Sequence, residues 1–318
     1  MNRRKFLNFG ILAPLAYAQK KPRQEAVSAA ATRSATPRVG LITSNYRGSE
    51  EHDGTKIPGL SDPRPVDADL TPTQIEVMLF KAMDLGSPIA GGISSIITPD
   101  EWVVILAAAD SLVVRALTQY LVEHKCGARI TIAGLSDNKL AEDFTHRFPD
   151  ILFDRIDLGH DRTVDLPVPN KPDRSYTIPK TIQQCDRLIS VVPLQTDPQT
   201  GVSLTIKNYL AITQEGMTSP GNPANLMLDL FAYHPADYAI AGGCWGTEGG
   251  TSVHHNVIVA GPNALSVDAV AAGVMGFSPA ELPYLSLAER RGFGVADPDV
   301  IWIRGDQIEE ARRPFRKP

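Results

Sequence analysis

The spacing of apolar and polar positions along the chain predicts strands and helices in alternation. Residues 38–44 (RVGLITS) and 102–107 (WVVILA) are short, nearly continuous apolar runs, the pattern of buried strands. Between them Thr71-Pro72 opens a helix, with proline where its missing N–H costs nothing. Ile75, Met78, Leu79, Ala82 and Met83 then mark one helical face, and Gly86 is a natural stop. Asp110 is placed to cap a second helix reaching Lys125, with Leu112, Val113, Ala116, Leu117, Tyr120 and Leu121 inward. Gly127 ends it, and 128–133 (ARITIA) is the next strand. A helix over 140–148 and a strand over 151–158 continue the series. Such alternation predicts an α/β fold, a mostly parallel mixed sheet flanked by helices.

The middle of the chain changes pattern. Residues 163–169 and 174–178 flank a Pro-Asn-Lys-Pro-Asp turn and predict an inserted β-hairpin. A strand over 187–192 follows, then helices over 203–212 and 224–233. The last third holds strands over 238–241, 256–260 and 300–304, with helices over 266–275 and 282–291. Two stretches stand apart: a long loop over 45–70, and a glycine-dense loop over 242–250 (GGCWGTEGG). No internal repeat is evident.

Composition narrows the function classes. The 318 residues are 43% hydrophobic and 21% charged, which excludes collagen, coiled coil and general disorder. Gly 25 and Pro 25 argue for many turns rather than a helical bundle. The net charge of -5, with scattered Lys and Arg, leaves no footprint for nucleic acid. Cys126, Cys185 and Cys244 match no zinc or iron–sulfur spacing. They are expected to be small buried apolar residues, although an oxidising compartment would permit one disulfide.

The N-terminus carries the clearest targeting signal. Arg3, Arg4 and Lys5 precede a short apolar run, and Ala16-Tyr17-Ala18 fits a signal-peptidase site. The run is too short for a bilayer, which takes roughly 20 residues. Asn2-Arg3-Arg4-Lys5-Phe6-Leu7 is similar to the twin-arginine motif, with Asn2 where Ser or Thr is usual. The expected organisation is a signal peptide over 1–18, a disordered spacer over 19–36, one α/β domain over 37–306 and a charged tail over 307–318. The expected location is periplasmic or secreted. The export machinery is then a partner, and no stable membrane span is expected.

Several groups are candidates for chemistry. The glycines of 242–250 let backbone N–H groups approach an anion. A strand rather than a helix follows them, so this is not a dinucleotide fingerprint. Lys207 follows an apolar stretch on a predicted helix, where it can hold an anion as a point charge. Ser203 lies one turn earlier, without the S-x-x-K spacing of the penicillin-binding enzymes. Asp268, one turn into an apolar helix, is expected either to cap that helix or to pair with Lys207. His254 and His255 are adjacent in a strand and point to opposite faces, so both cannot bind one ion. Asp157, His160 and Asp161 form a second His–carboxylate group in a loop. No metal site is expected.

The order of these segments resembles a known family. Cys185-Asp186-Arg187-Leu188-Ile189-Ser190-Val191-Val192-Pro193, then Thr205-Ile206-Lys207-Asn208, the glycine loop, Asn256-Val257-Ile258-Val259-Ala260-Gly261 and Ser266-Val267-Asp268-Ala269-Val270 follow one another as in the domain of unknown function 362 family. Gly292-Phe293-Gly294 fits as well. The resemblance implies an α/β fold and no settled reaction. Some members carry a fused ferredoxin-type cysteine cluster, which this chain lacks. Family members usually have Lys-Pro-Asn after the early strand, where this chain has Ala107-Ala108-Ala109. They have Lys-Thr-His after the central strand, where it has Gln195-Thr196-Asp197, and Asp where it has Gly242.

The expected site therefore comprises Lys207, Asp268 and Glu248 as reactive groups. Thr196, Asp197, Asn208, Gly246, Gly249 and Gly250 would surround an unknown small anionic molecule. No cofactor is identified. The alternative is a non-catalytic periplasmic binding or assembly protein.

Overall fold

The computed structural model describes residues 36–46, 67–108, 111–134, 139–168, 171–213 and 223–318. The expected signal segment, nearly all of the expected spacer, Asp110 and most of the loop over 45–70 lie outside these residues.

Twelve strands are present among the described residues. They are β1 (Arg38–Thr43), β2 (Trp102–Ala107), β3 (Arg129–Ala133), β4 (Leu152–Ile156), β5 (Thr163–Val168), β6 (Lys171–Pro179), β7 (Arg187–Val192), β8 (Gln195–Asp197), β9 (Gly201–Ser203), β10 (Tyr238–Glu248), β11 (Thr251–Gly261) and β12 (Trp302–Gly305). The main sheet runs β12-β1-β11-β10-β7-β2-β3-β4, and the short hairpin β8–β9 is attached to β10. β11 is antiparallel to both its neighbours; the other pairs along that order are parallel. β5 and β6 form the predicted hairpin as a separate two-stranded sheet. The fold is α/β, as the alternation of apolar runs predicts.

Helices cover both faces of the sheet. α1 (Pro72–Gly86), α2 (Ser111–Glu123) and α3 (Lys139–Arg147) lie on one side. Their Met78, Leu79, Leu117 and Phe144 form a core with Val103, Ile105, Ile130 and Ile258 of the sheet. α4 (Lys180–Gln184), α5 (Ala224–Tyr233), α6 (Ala264–Val274), α7 (Pro283–Arg290) and α8 (Ile308–Ala311) lie on the other. There Leu228, Val270 and Leu285 pack with Leu41, Leu188 and Val259. α6 is buried at every position, and Asn263 caps it by accepting from the Ser266 N–H at 2.9 Å. α1 begins with a reciprocal capping box between Thr71 and Gln74. Among the described residues, no helix is long and apolar enough to cross a membrane.

Three local expectations are corrected. Residues 203–212 are not one helix: β9 ends at Ser203, and a 3-10 helix runs from Lys207 to Ile212. The glycine-dense stretch is mainly strand, because β10 continues to Glu248 and only Gly249-Gly250 turns back into β11. Gly242 allows this by lying so close to β11 that a Cβ would stand 2.1 Å from the Val257 carbonyl oxygen. The charged tail, whose residues Arg312 to Lys317 are expected from their charge to be a solvated end, packs on the domain instead. Arg313 and Phe315 donate backbone hydrogen bonds to the Val274 and Met275 carbonyls, and the Phe315 ring is buried.

Candidate functional site

The parallel strands β2, β7 and β10 all end on one side of the molecule, where open α/β sheets hold ligands. The chain leaving β7 turns through Pro193 into β8, whose Gln195 pairs with Thr247 of β10. The Thr196 hydroxyl accepts from the Gly249 N–H at 3.0 Å, fastening the β10–β11 turn to β8. Its neighbour Asp197 forms an ion pair with Lys207. Consecutive strand residues point to opposite sides, so β8 stands between the lysine and the glycine turn.

Lys207 opens the 3-10 helix, and two buried groups hold it there. Asn208 donates from Nδ2 to the Leu106 carbonyl at 2.9 Å and to Ser190 Oγ at 3.1 Å. The Ser190 hydroxyl in turn donates to the Thr205 carbonyl at 2.9 Å. Asp268 rises from α6 beneath the turn. Its carboxylate accepts from Thr205 N at 2.8 Å, Thr205 Oγ1 at 2.5 Å and Ile206 N at 3.1 Å, with the Tyr284 hydroxyl at 3.4 Å. Asp268 thus neither caps its own helix nor pairs with Lys207; it anchors the turn that presents Lys207. Burial pushes its pKa up to about 7 against the opposing pull of these donors. Asp197 lies below the usual carboxylate range. Its burial is outweighed by hydrogen bonds from Lys207, the Thr200 hydroxyl and the Thr200 N–H.

A family model described as a domain of unknown function (DUF362) matches residues 106–273, more than half of the chain. The chain belongs to the DUF362 family. No curated protein matches it.

The DUF362 match runs from the end of β2 through most of α6, so it includes the whole lysine-bearing turn. The other expected residues lie further along the same edge. Glu248 ends β10 and accepts from the Arg316 N–H at 2.8 Å, so the tail occupies it. A Cβ on Gly246 would meet the Leu194 carbonyl oxygen at 2.4 Å, which shows why no larger residue fits there. Gly249 and Gly250 have φ of +54° and +86° with open space above them. A groove lined by Glu248, Gly249, Thr251, Arg316, Lys317 and Pro318 borders that turn. The structure therefore brings Lys207, Asp197, Asn208 and Asp268 into one contiguous cluster. It leaves Glu248 and the glycine turn on the far side of β8.

Sequence reasoning missed the anchoring role of Ser190, a single hydroxyl within an apolar strand. It also missed Asp306, which follows β12 and accepts from the Thr43 N–H at 2.7 Å; burial raises its pKa. The signal available was position, since both lie in or just after predicted strands. Cys126, Cys185 and Cys244 are all buried, and none is in a disulfide.

His254 and His255 do part, as expected of neighbouring strand residues. His255 is fully buried toward Gly246 and Phe315, and its Nδ1 accepts from the Val257 N–H at 3.2 Å. Burial pushes its pKa down to about 4, opposed by the Trp245 carbonyl and assisted by Arg313 and His254. A buried histidine with a lowered folded pKa holds its full stabilisation above its unfolded pKa of about 6.5. It loses that stabilisation as pH falls toward 4. Relative to a His255→Gln variant, the wild type should lose about 2–3 kcal/mol between pH 7.5 and 4.5. Urea midpoints of both proteins at the two pH values check this; an equal change in each would contradict it.

Proposed function

We propose that the protein is exported to the periplasm or beyond and binds a small anionic molecule beside Lys207 at the carboxyl end of the sheet. The observation that supports this most is the setting of the ammonium group. An ammonium has three N–H donors. Its counter-ion Asp197 is already engaged by the Gln199 and Thr200 N–H groups and the Thr200 hydroxyl. The Asp197–Lys207 pair thus leaves lysine donors over, on a side chain 12% exposed at the strand ends. Asn208 and Asp268 fix the turn, and Asp197 forms the neighbouring wall. Thr196 ties β8 to the Gly249-Gly250 turn on its far side, where the two glycines leave open space along the adjoining edge, while Gly246 is packed against Leu194.

Binding without chemistry fits these groups better than catalysis. A general base must come within hydrogen-bonding reach of the proton it takes. Asp268 is wholly buried with its oxygens turned to the 205–206 backbone, and Glu248 is held by Arg316. A non-catalytic binding or assembly protein is therefore the form of the proposal these contacts favour.

Calorimetric titration with inorganic phosphate, sulfate and citrate tests it. At least one should bind, and Lys207→Met should weaken that binding at least tenfold. Unchanged affinity in Lys207→Met, or no binding to the wild type, would overturn the proposal. For export, changing Arg3 and Arg4 together to Lys keeps the charge but removes the arginine pair. The precursor should then accumulate in the cytoplasm. Normal export of that variant would exclude the twin-arginine route.

A further inference from the structure

Eight buried side-chain nitrogen and oxygen atoms among the described residues have no hydrogen-bond partner. Four belong to Ser44, His254, His255 and Asn256, where β1 and β11 meet at the carboxyl end of the parallel strands. Buried polar atoms are nearly always paired, so a local concentration of unpaired ones calls for a specific cause.

The backbone explains how they gather. Gly243 pairs with Val257 while Trp245 pairs with His254, so two residues of β11 face the single Cys244. Such a bulge re-aims side chains, and bulges recur beside functional sites. Asn256, within the bulge, has φ of +51°, one of two non-glycine residues with positive φ among those described. The re-aimed side chains reach consecutive residues of the segment entering α1. Asn256 Nδ2 donates to the Ala68 carbonyl at 2.8 Å, which fixes the amide and leaves Oδ1 as the unpaired acceptor. His254 Nε2 lies 3.2 Å from Asp69 Oδ1 but out of line for a hydrogen bond. Ser44 joins them from β1 through its backbone N–H, 3.1 Å from the Asn256 carbonyl, and its own hydroxyl is unpaired.

We propose that Ser44, Asp69, His254 and Asn256 form a divalent-cation site at the carboxyl end of the sheet. Two of the four groups, the amide oxygen and the carboxylate, offer only lone pairs, and the hydroxyl and imidazole can also do so. Four lone-pair donors on adjoining segments, three of them buried and unpaired, suit a cation. Among the described residues, no three His, Cys, Asp or Glu side chains are placed to hold a metal ion together. The set is instead mixed, one imidazole nitrogen with three oxygens. An imidazole disfavours Ca²⁺ and Mg²⁺, and the absence of thiolate from the set disfavours Cu⁺, so Mn²⁺ or Zn²⁺ is the fitting class. Asp69, with a side chain 92% exposed, stands at the entrance, and His254 lies behind it.

The test uses the full mature chain, stripped with chelator and titrated with Mn²⁺ or Zn²⁺ under thermal melting and calorimetry. One equivalent should bind and raise the melting temperature. Asn256→Gly suits the positive φ and removes only the amide, so it should fold yet bind at least tenfold more weakly. Ser44→Ala and His254→Ala should weaken binding likewise, while His160→Ala, at the exposed Asp157–His160 pair, should not. The proposal fails if neither ion binds the wild type. It also fails if Asn256→Gly and His254→Ala bind as the wild type does, or if His160→Ala abolishes binding.

Discussion

Replacing Asp268 with Asn should destabilise the protein by about 4 kcal/mol at pH 5 and by about 2–3 kcal/mol less at pH 8. The carboxyl group serves three donors at the 205–206 turn and faces the Tyr284 hydroxyl. An amide keeps one acceptor oxygen and sets its NH₂ against backbone N–H groups that cannot turn away. The pH dependence has a definite sign. An acid whose folded pKa is raised, here from 3.8 to about 7, binds more protons folded than unfolded in between. Wild-type stability therefore falls as pH rises from about 4 to about 7 and levels off above. The amide of the Asp268→Asn variant does not titrate, so the gap between the proteins narrows with pH. Urea midpoints at pH 5 and 8 measure it; a gap of equal size at both would show that Asp268 is ionised throughout. Because this turn carries Lys207, the variant should also weaken the proposed anion binding.

His255 acts in the same pH range with the opposite sign. Its burial favours the neutral ring and opposes acid, whereas that of Asp268 favours the neutral acid and opposes base. Between about pH 4 and 7 the two contributions offset each other in the wild type. Removing either residue should tilt the stability profile, and in opposite directions.

The inner strands of the main sheet were legible because they are buried on both faces and so read as nearly unbroken apolar runs. RVGLIT and WVVILA and the helix faces between them needed no tertiary information. Failures came where a distant segment decides local structure. Gly242 and Gly243 look like loop residues, yet they extend β10, and at Gly242 β11 lies too close for any side chain. Residues 203–212 show a helical apolar spacing, but Asp268, more than 60 positions from Thr205 and Ile206, organises them as a hairpin end and a 3-10 turn. Phe315 is one apolar residue among charges, with no period to reveal that it is buried. The lysine cluster could be nominated from residue type and order. The His254–Asn256 cluster could not, because a bulge has no signature in a strand pattern and Asp69 lies far away in sequence.

Gly40→Ala should cost about 3 kcal/mol or more, the upper range for overpacking. β1 and α1 meet through two glycines. A Cβ on Gly40 would stand 2.0 Å from the Ala82 carbonyl oxygen and 2.9 Å from the Gly86 nitrogen. A Cβ on Gly86 would stand 2.2 Å from the Ala260 carbonyl oxygen. These are backbone atoms, so no rotamer change relieves the contact, and the helix must lift from the sheet. Gly159→Ala is the control: its nearest neighbour is the tip of Asp157 at 3.4 Å, and it should change stability by less than about 0.5 kcal/mol. Thermal melting of both variants checks the pair, and a Gly40→Ala protein as stable as the wild type would contradict the packing. The consequence reaches the edge of the sheet. The segment that enters α1 carries Ala68 and Asp69 to Asn256 and His254, and the seating of α1 on β1 and β11 sets how near they come. Lifting the helix should therefore weaken the Mn²⁺ or Zn²⁺ response while leaving the Lys207 turn, which rests on α6 and β7, in place.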